Sequence, residues 1–204
     1  MSNYSPNVPL SARLAEKIIT KERWADDEEG YLKVKYGLEI ILINAMKFIA
    51  VYGVALLLGI VWQTITVHLA YLMIRRYSFG LHATKSWVCT VVSVSMFDLI
   101  PYFAKGLLLN NWIVLGVFIF VLLNVFFFAP ADTESLPLIG KDNRKKLKRK
   151  AMVCTLLLTG IALLVPIAEM KVLIMLGALY QVVSINPLVY KILNRRYHNY
   201  ESYE

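Results

Sequence analysis

Long apolar stretches separated by short polar segments make up most of the chain from residue 38 onwards. A membrane-spanning helix needs about 20 mainly apolar residues to cross a hydrocarbon core of about 30 Å. The tract at 38–74 is too long for one such helix, and we divide it near Gly53 and Gly59. The pattern predicts an all-α, polytopic integral membrane protein with about six spans, at 38–57, 60–74, 86–103, 107–129, 151–168 and 172–190. Since spans two, five and six are short, four full spans plus two short or re-entrant helices form the main alternative.

The composition argues against an ordinary soluble domain. Hydrophobic residues make up 58% of the 204 residues and charged residues only 18%, whereas soluble domains average about 45–50% and about 25%. The net charge of +8 would suit a nucleic-acid binder, but such a protein would not carry long uncharged stretches. We therefore expect no nucleic-acid partner, and we expect the positive charge to face anionic lipid headgroups or to set the orientation in the membrane.

The lysines and arginines fall almost entirely on one side of the six-span arrangement. They lie before span one, between spans two and three, between spans four and five, and after span six, while only Lys105 and Lys171 lie on the other side. Because positive charge collects in cytoplasmic loops, both termini are predicted to be cytoplasmic. The chain then divides into a cytoplasmic segment at 1–36, a membrane domain at 37–190 with a basic cytoplasmic loop at 130–150, and a cytoplasmic tail at 191–204.

The segment before span one has the pattern of an amphipathic helix. Apolar residues recur every fourth position and basic residues adjoin them, at Leu10, Leu14 and Ile18 and at Arg13, Lys17 and Lys21 respectively. An apolar stripe edged with positive charge is typical of a helix that lies on a membrane surface. A solvated helix is the alternative.

Residues 75–89 carry the strongest candidate chemistry, because a His and a Cys lie close together at the predicted mouth of two spans. A cysteine nucleophile reacts as the thiolate, and a neighbouring imidazole can take its proton and later protonate a leaving amine. In a straight helix, His82 and Cys89 would be separated by about 10.5 Å along the axis. The hypothesis therefore requires His82 in a loop or half-helix broken near Gly80, with Cys89 in the first turns of span three, where the helix N-terminus also favours a thiolate. A packing cysteine and a polar-cap histidine are the alternative.

Other polar positions are weaker candidates. Two cysteines, Cys89 and Cys154, are too few for a disulfide framework or a zinc site, so we predict no metal and no cofactor. Asp132, Asp98 and Ser86 are open as a third catalytic residue, and a dyad without any of them is equally possible. Lys145 and Lys146 belong to a basic run at 141–150, for which contact with anionic lipid is favoured over a dedicated substrate site.

These motifs, in this order, resemble the AgrB family, the integral-membrane cysteine endopeptidases of Gram-positive quorum sensing. The resemblance extends over about 12–190 and depends on three features: Arg75, Gly80-Leu81-His82-Ala83 and Cys89; Ala129-Pro130-Ala131-Asp132-Thr133 with Pro137; and the basic run entering span five. One departure is Ser78-Phe79-Gly80, where members often have a Gly-Gly pair.

The resemblance implies roles for these residues. Cys89 would be the nucleophile and His82 the general base and acid, with Arg75 and Gly80 shaping the site. The family's substrate is an AgrD-like propeptide, whose C-terminal tail is removed and whose central segment is cyclised to a thiolactone or lactone, the precursor of an autoinducing peptide. A small transporter or peptide-export channel, in which Cys89 only packs, is the alternative reading of the residues. We also expect a homodimer.

Overall fold

The computed structural model describes residues 10–20, 27–83 and 85–204, and in these ranges all regular secondary structure is helical. The chain falls into two compact units, 1–53 and 54–204. The helices in chain order are α1 (Leu10–Ile18), α2 (Glu28–Leu57), α3 (Val61–Ser78), α4 (Ser86–Val94), a π-helical turn (Ser95–Leu99), α5 (Ile100–Phe103), α6 (Asn111–Phe128), α7 (Lys141–Leu164), α8 (Ala168–Ile185), α9 (Pro187–Ile192) and a 3₁₀ turn (Asn199–Ser202).

The first unit contains α1 and most of α2. The predicted N-terminal helix is confirmed as α1, in which Ala15 is fully buried while Leu14 and Ile18 are exposed. The side chain of Leu10 and all of Lys21 lie outside the described residues. A Lys35–Glu16 ion pair of 3.8 Å joins α2 to α1. The location of α1 at a membrane surface stays a prediction.

The core of the second unit lies among α3, α6, α7 and α8. Helix α8 is buried along most of its length, and it packs against α3 at Gly177. A Cβ at Gly177 would lie 2.5 Å from the Val67 carbonyl oxygen and 2.7 Å from the Ala70 Cβ. Small residues let two helix backbones approach closely in a membrane protein, so α3 and α8 form a tight pair beneath the candidate site.

Within the described residues, four helices are long and apolar enough to span a membrane, as expected of a multi-pass membrane protein: Glu28–Leu57, Ser86–Phe103, Asn111–Phe128 and Ala168–Ile185. They correspond to predicted spans one, three, four and six. Helices α3 and α7 occupy the regions of predicted spans two and five, and the count of six full spans stays a prediction.

Two predicted boundaries differ from the structure. The basic run at 141–150 forms the first turns of α7 instead of an irregular loop, because Gly140 ends the preceding extended segment and no helix-breaking residue follows. The last predicted span ends early, at Ile185, because Pro187 disfavours a helical Asn186. Asn186 then caps α9 by accepting a hydrogen bond from the Leu188 N–H.

Candidate active site

The segment between α3 and α4 turns sharply at two successive residues. Phe79 has φ +52° and Gly80 has φ +110°, both in the left-handed region. A Cβ at Gly80 would lie 2.5 Å from the Ser184 carbonyl oxygen and 2.9 Å from Arg75 Nη1. Glycine is therefore required at 80 by both conformation and space. A glycine in place of Phe79 would adopt the same left-handed conformation without strain.

Backbone hydrogen bonds hold this turn between two other segments. The Gly80 N–H donates to the Ala131 carbonyl at 2.7 Å, and the Ala131 N–H donates back to the Ser78 carbonyl at 2.9 Å. On the other side, the Leu81 N–H donates to the Ser184 carbonyl at 2.8 Å. The loop that carries His82 is thereby attached both to the turn after α6 and to the end of α8.

Arg75 holds the same loop from the last full turn of α3. Its Nη1 donates to the Phe79 carbonyl at 2.7 Å and to Ser184 Oγ at 3.1 Å. Its Nη2 donates to the carbonyls of Gly80 at 3.0 Å and Leu81 at 2.8 Å. Because the guanidinium is planar with donors at fixed angles, it fixes three consecutive carbonyls relative to one another. Arg75 is therefore a positioning residue.

Two polar residues of α8 complete this network, and sequence analysis missed both. Gln181 is fully buried and donates from Nε2 to Ser78 Oγ and to the Phe79 carbonyl, each at 2.6 Å. The Ser184 hydroxyl donates towards Gln181 Oε1 at 2.9 Å. The sequence marked Gln181 and Ser184 only as polar side chains within a mainly apolar predicted span.

The loop brings His82 against Cys89. Cys89 Sγ lies 3.9 Å from His82 Nε2 and 4.0 Å from Nδ1. His82 follows Gly80 in irregular backbone, and Cys89 is the fourth residue of α4, so both conformational requirements of the predicted dyad are confirmed. His82 Nδ1 also lies 3.1 Å from the Ala83 carbonyl oxygen. When Nδ1 donates its hydrogen there, Nε2 is the unprotonated nitrogen and can accept a proton.

A cavity of about 380 Å³ opens beside His82. We call it the His82 cavity. Its lining residues come from the loop after α3, the turn after α6, and α9 with the segment that follows it: Leu81, His82, Ala83, Thr133, Glu134, Ser135, Tyr190, Arg195 and Arg196.

The structure does not place Asp132 on His82. Its buried carboxylate instead accepts the N–H groups of Asn199 at 3.0 Å and Tyr200 at 2.7 Å, so that it caps the 3₁₀ turn near the end of the chain. Its own carbonyl accepts the Tyr190 hydroxyl at 2.8 Å. Asp132 therefore links the tail to the turn that holds Gly80, and it is connected to the loop that carries His82 only through that turn.

The same tail docks on the N-terminal end of α7. Glu204 accepts the Gly140 N–H at 2.6 Å and two Arg144 guanidinium hydrogen bonds at 2.6 and 2.9 Å. The hydrogen bonds from Arg144 and Gly140 lower the pKa of Glu204 to about 2. The Arg144 guanidinium also lies 3.7 Å from the centre of the Tyr200 ring. Arg144 of the basic run at 141–150 is thus already paired with the Glu204 carboxylate.

The other predicted supporting residues lie apart from the dyad or only flank it. Ser86 is exposed at the first position of α4, and its carbonyl accepts the Thr90 hydroxyl. Lys145 and Lys146 are exposed on α7, and neither lines the His82 cavity. Asp98 is fully buried in the π-helical turn, where its Oδ1 accepts the Thr64 hydroxyl at 2.8 Å.

A metal site is absent from the part of the chain that the structure describes. None of the described His, Cys, Asp and Glu side chains form a group of three or more that could hold an ion. Cys154 lies on α7 and is half-buried. His68 stacks on Phe97 with ring centres 4.5 Å apart.

Comparison with known proteins gives consistent family matches. The family model described as accessory gene regulator B matches residues 11–185. A protein of Listeria innocua described as AgrB-like is 68% identical over the full length of both chains. An AgrB-like protein of Clostridium acetobutylicum is 43% identical, over 94% of this chain and 93% of its own. Accessory gene regulator protein B of Staphylococcus epidermidis is 28% identical, over 80% and 84% respectively. No solved structure matches.

Proposed function

Because the chain belongs to the accessory gene regulator B (AgrB) family, we propose that it is a membrane-embedded cysteine endopeptidase with Cys89 as nucleophile and His82 as general base and acid. The observation that carries the proposal is the 3.9 Å separation of Cys89 Sγ and His82 Nε2 across an irregular loop. The two residues are seven positions apart, and they approach because His82 lies in irregular backbone before the start of α4. In enzymes without bound substrate, the distance between a catalytic nucleophile and its base is often longer than a hydrogen bond, and it shortens when substrate binds.

The first half of the reaction forms an acyl-enzyme. Nε2 of His82 takes the thiol proton, and the Cys89 thiolate attacks a peptide carbonyl carbon. The tetrahedral adduct collapses as its C–N bond breaks, and the His82 imidazolium gives its proton to the leaving nitrogen. The segment after the cut departs as a free amine, and the segment before it stays attached to Cys89 as a thioester.

The second half decides between hydrolysis and cyclisation. If water attacks the thioester, a linear acid is released. If a thiol or hydroxyl of the bound peptide attacks, it gives its proton to the now neutral His82 and a new S–C or O–C bond closes a ring. The bond from the carbonyl carbon to Cys89 breaks, and the Cys89 thiolate recovers that proton from His82. Cyclisation is faster only when the attacking group is held close and water is excluded, because good positioning is equivalent to a very high local concentration.

The proposed substrate is an AgrD-like propeptide whose cyclised product serves quorum sensing. Family membership and the Cys–His geometry support this choice of substrate class. Neither specifies the sequence of the peptide that this protein processes. The basic face of α7, including Lys145 and Lys146, faces outward. We propose that this face lies at the cytoplasmic membrane surface, where it contacts anionic lipid headgroups and attracts acidic peptide segments.

The test is cleavage of a synthetic AgrD-type propeptide by the purified protein in lipid vesicles, followed by mass spectrometry. The intact protein should release the C-terminal tail and give a product one water lighter than the linear acid. Cys89→Ala and His82→Ala should abolish tail release, whereas Cys154→Ala, a matched cysteine removal, should retain it. Full processing by Cys89→Ala would refute the proposed chemistry.

A further inference from the structure

We propose that the His82 cavity binds an acidic side chain of the peptide segment that leaves after the cut, and that Arg195 and Arg196 recognise its carboxylate. The inference rests on the proposed function and adds a specificity site to it. Neither arginine belongs to the motifs from which the active site was predicted, because both follow α9 in the segment at 193–198.

The position of the cavity identifies which part of the peptide enters it. His82 lines the cavity, whereas Cys89 does not. In the proposed reaction, the carbonyl carbon is bonded to Cys89 Sγ while His82 must reach the leaving nitrogen to protonate it. The leaving segment must therefore extend from the sulfur towards the His82 side. A peptide laid in that direction puts its first residues after the cut into the His82 cavity.

The charges of the cavity favour a carboxylate. Arg195 Nη1 lies 3.5 Å from Glu134 Oε2, with 29% of the Arg195 side chain and 58% of the Glu134 side chain exposed. A long, solvent-exposed pair of this kind contributes little stability, so an incoming carboxylate can displace Glu134. Arg196 is exposed and forms no ion pair with any residue in the described ranges. The cavity therefore offers one weakly paired guanidinium and one that has no ion pair within the described residues.

The backbone that carries the two arginines is fixed by hydrogen bonds in the absence of substrate. The Arg195 N–H donates to the Tyr190 carbonyl at 2.8 Å, and the Arg196 carbonyl accepts Asn199 Nδ2 at 2.9 Å. Tyr190 is almost fully buried, and its hydroxyl donates to the Asp132 carbonyl. These contacts attach the backbone of 195–196 to the turn after α6, which contributes Thr133, Glu134 and Ser135 to the lining of the cavity. Because the backbone is already fixed, only the two arginine side chains lose conformational freedom when a carboxylate binds.

The experiment compares three propeptides that differ at one position, the first residue after the cut, which is Glu, Gln or Lys. Each is processed by the intact protein, by Arg196→Gln and by Lys191→Gln, in vesicles of zwitterionic lipid and in vesicles that also contain anionic lipid. Lys191→Gln is the matched control, because it removes the same charge from an exposed residue of α9 that does not line the cavity. The readout is the ratio of kcat/KM for the Glu peptide to that for the Gln peptide.

The intact protein should prefer Glu over Gln by about fivefold, the size expected for partly exposed charge pairs. Arg196→Gln should bring the ratio close to one, and Arg196→Glu should invert the order so that the Lys peptide is processed best. Lys191→Gln should keep the ratio. Glu134→Gln should raise the preference, because it removes the competing carboxylate, and a variant that was merely misfolded would not gain specificity.

Failure of the site and failure of the peptidase are separable. If the intact protein cleaves all three peptides with a ratio near one, or if Arg196→Gln keeps the wild-type ratio, the specificity site is refuted and the peptidase stands. If no peptide is cleaved, or if Cys89→Ala cleaves them, both are refuted. If Arg196→Gln lowers processing of all three peptides equally, and only in vesicles that contain anionic lipid, the cavity binds a lipid headgroup and the proposal is wrong.

Discussion

Replacing Arg75 with Lys tests whether the fixed loop is what makes the dyad work. The substitution keeps the positive charge but loses the planar fork that donates to three consecutive carbonyls and to Ser184 Oγ, at 2.7 to 3.1 Å. A lysine ammonium at the end of a flexible chain reaches one or two of these acceptors at once. About two hydrogen bonds are therefore lost.

The magnitude follows from the kind of bond. A hydrogen bond with one charged partner contributes about 1.5–3 kcal/mol, and the low end applies to Arg75 because the network is only partly buried. Two lost bonds give about 3 kcal/mol, which at about 1.4 kcal/mol per factor of ten is about a hundredfold change in how strongly the loop prefers its catalytic conformation. Because the backbone bonds of Gly80 and Leu81 remain, we expect kcat to fall by about 10- to 100-fold.

The assay is propeptide cleavage with kcat and KM measured separately. A positioning role predicts that kcat falls while KM changes little, since Arg75 contacts the protein's own carbonyls and lies outside the peptide site. Arg76→Lys is the matched control, because Arg76 is the adjacent residue and is exposed. Its guanidinium carbon lies 5.6 Å from the centre of the Tyr77 ring. A kcat for Arg75→Lys within twofold of the intact protein, or an equal loss in Arg76→Lys, would refute the reasoning.

Three further predictions concern single contacts. Gly80→Ala should abolish cleavage, because its Cβ meets backbone at 2.5 Å, whereas Gly116→Ala, whose Cβ would have no neighbour within 4 Å, should retain it; equal activities would contradict the packing argument. Asp98→Asn should leave kcat unchanged, because the Asp98 carboxylate bonds Thr64, and a loss of about tenfold would make Asp98 part of the catalytic machinery. Since the pKa of Glu204 is lowered to about 2, its contribution to tail docking is complete above its unfolded pKa and is lost as pH falls from about 4.5 towards 2. Hydrogen exchange of the tail, corrected for the intrinsic rate, should therefore rise over that window and should already be high at pH 7 in Glu204→Gln; a tail equally protected in both proteins would contradict this.

The parts of the site that sequence analysis located are those fixed by local rules. Gly80 could be identified as a break because glycine tolerates a left-handed turn, and the distance between His82 and Cys89 in a straight helix required His82 to lie outside the helix that carries Cys89. The length of the apolar stretches also located the candidate spans, since a chain that crosses a membrane as a helix satisfies its own backbone groups over about 20 residues.

The parts that could not be predicted depend on contacts between distant segments. Gln181 and Ser184 reach the loop only because α8 packs against α3 at Gly177, and nothing local to either residue indicates that contact. Asp132 was one of three candidates for a third catalytic residue, yet its carboxylate accepts a hydrogen bond from Asn199, 67 residues later in the chain. Such pairings are set by tertiary packing, which one-dimensional patterns do not encode.

The central claim is that Cys89 carries the acyl group, and it can be observed directly. The intact protein is mixed with an AgrD-type propeptide, quenched in acid within the first turnover, digested and analysed by mass spectrometry. The account predicts a peptide adduct on the fragment that contains Cys89, released by hydroxylamine as expected of a thioester, and absent from His82→Ala. An adduct on Cys154 would contradict the account, as would tail release by Cys89→Ala.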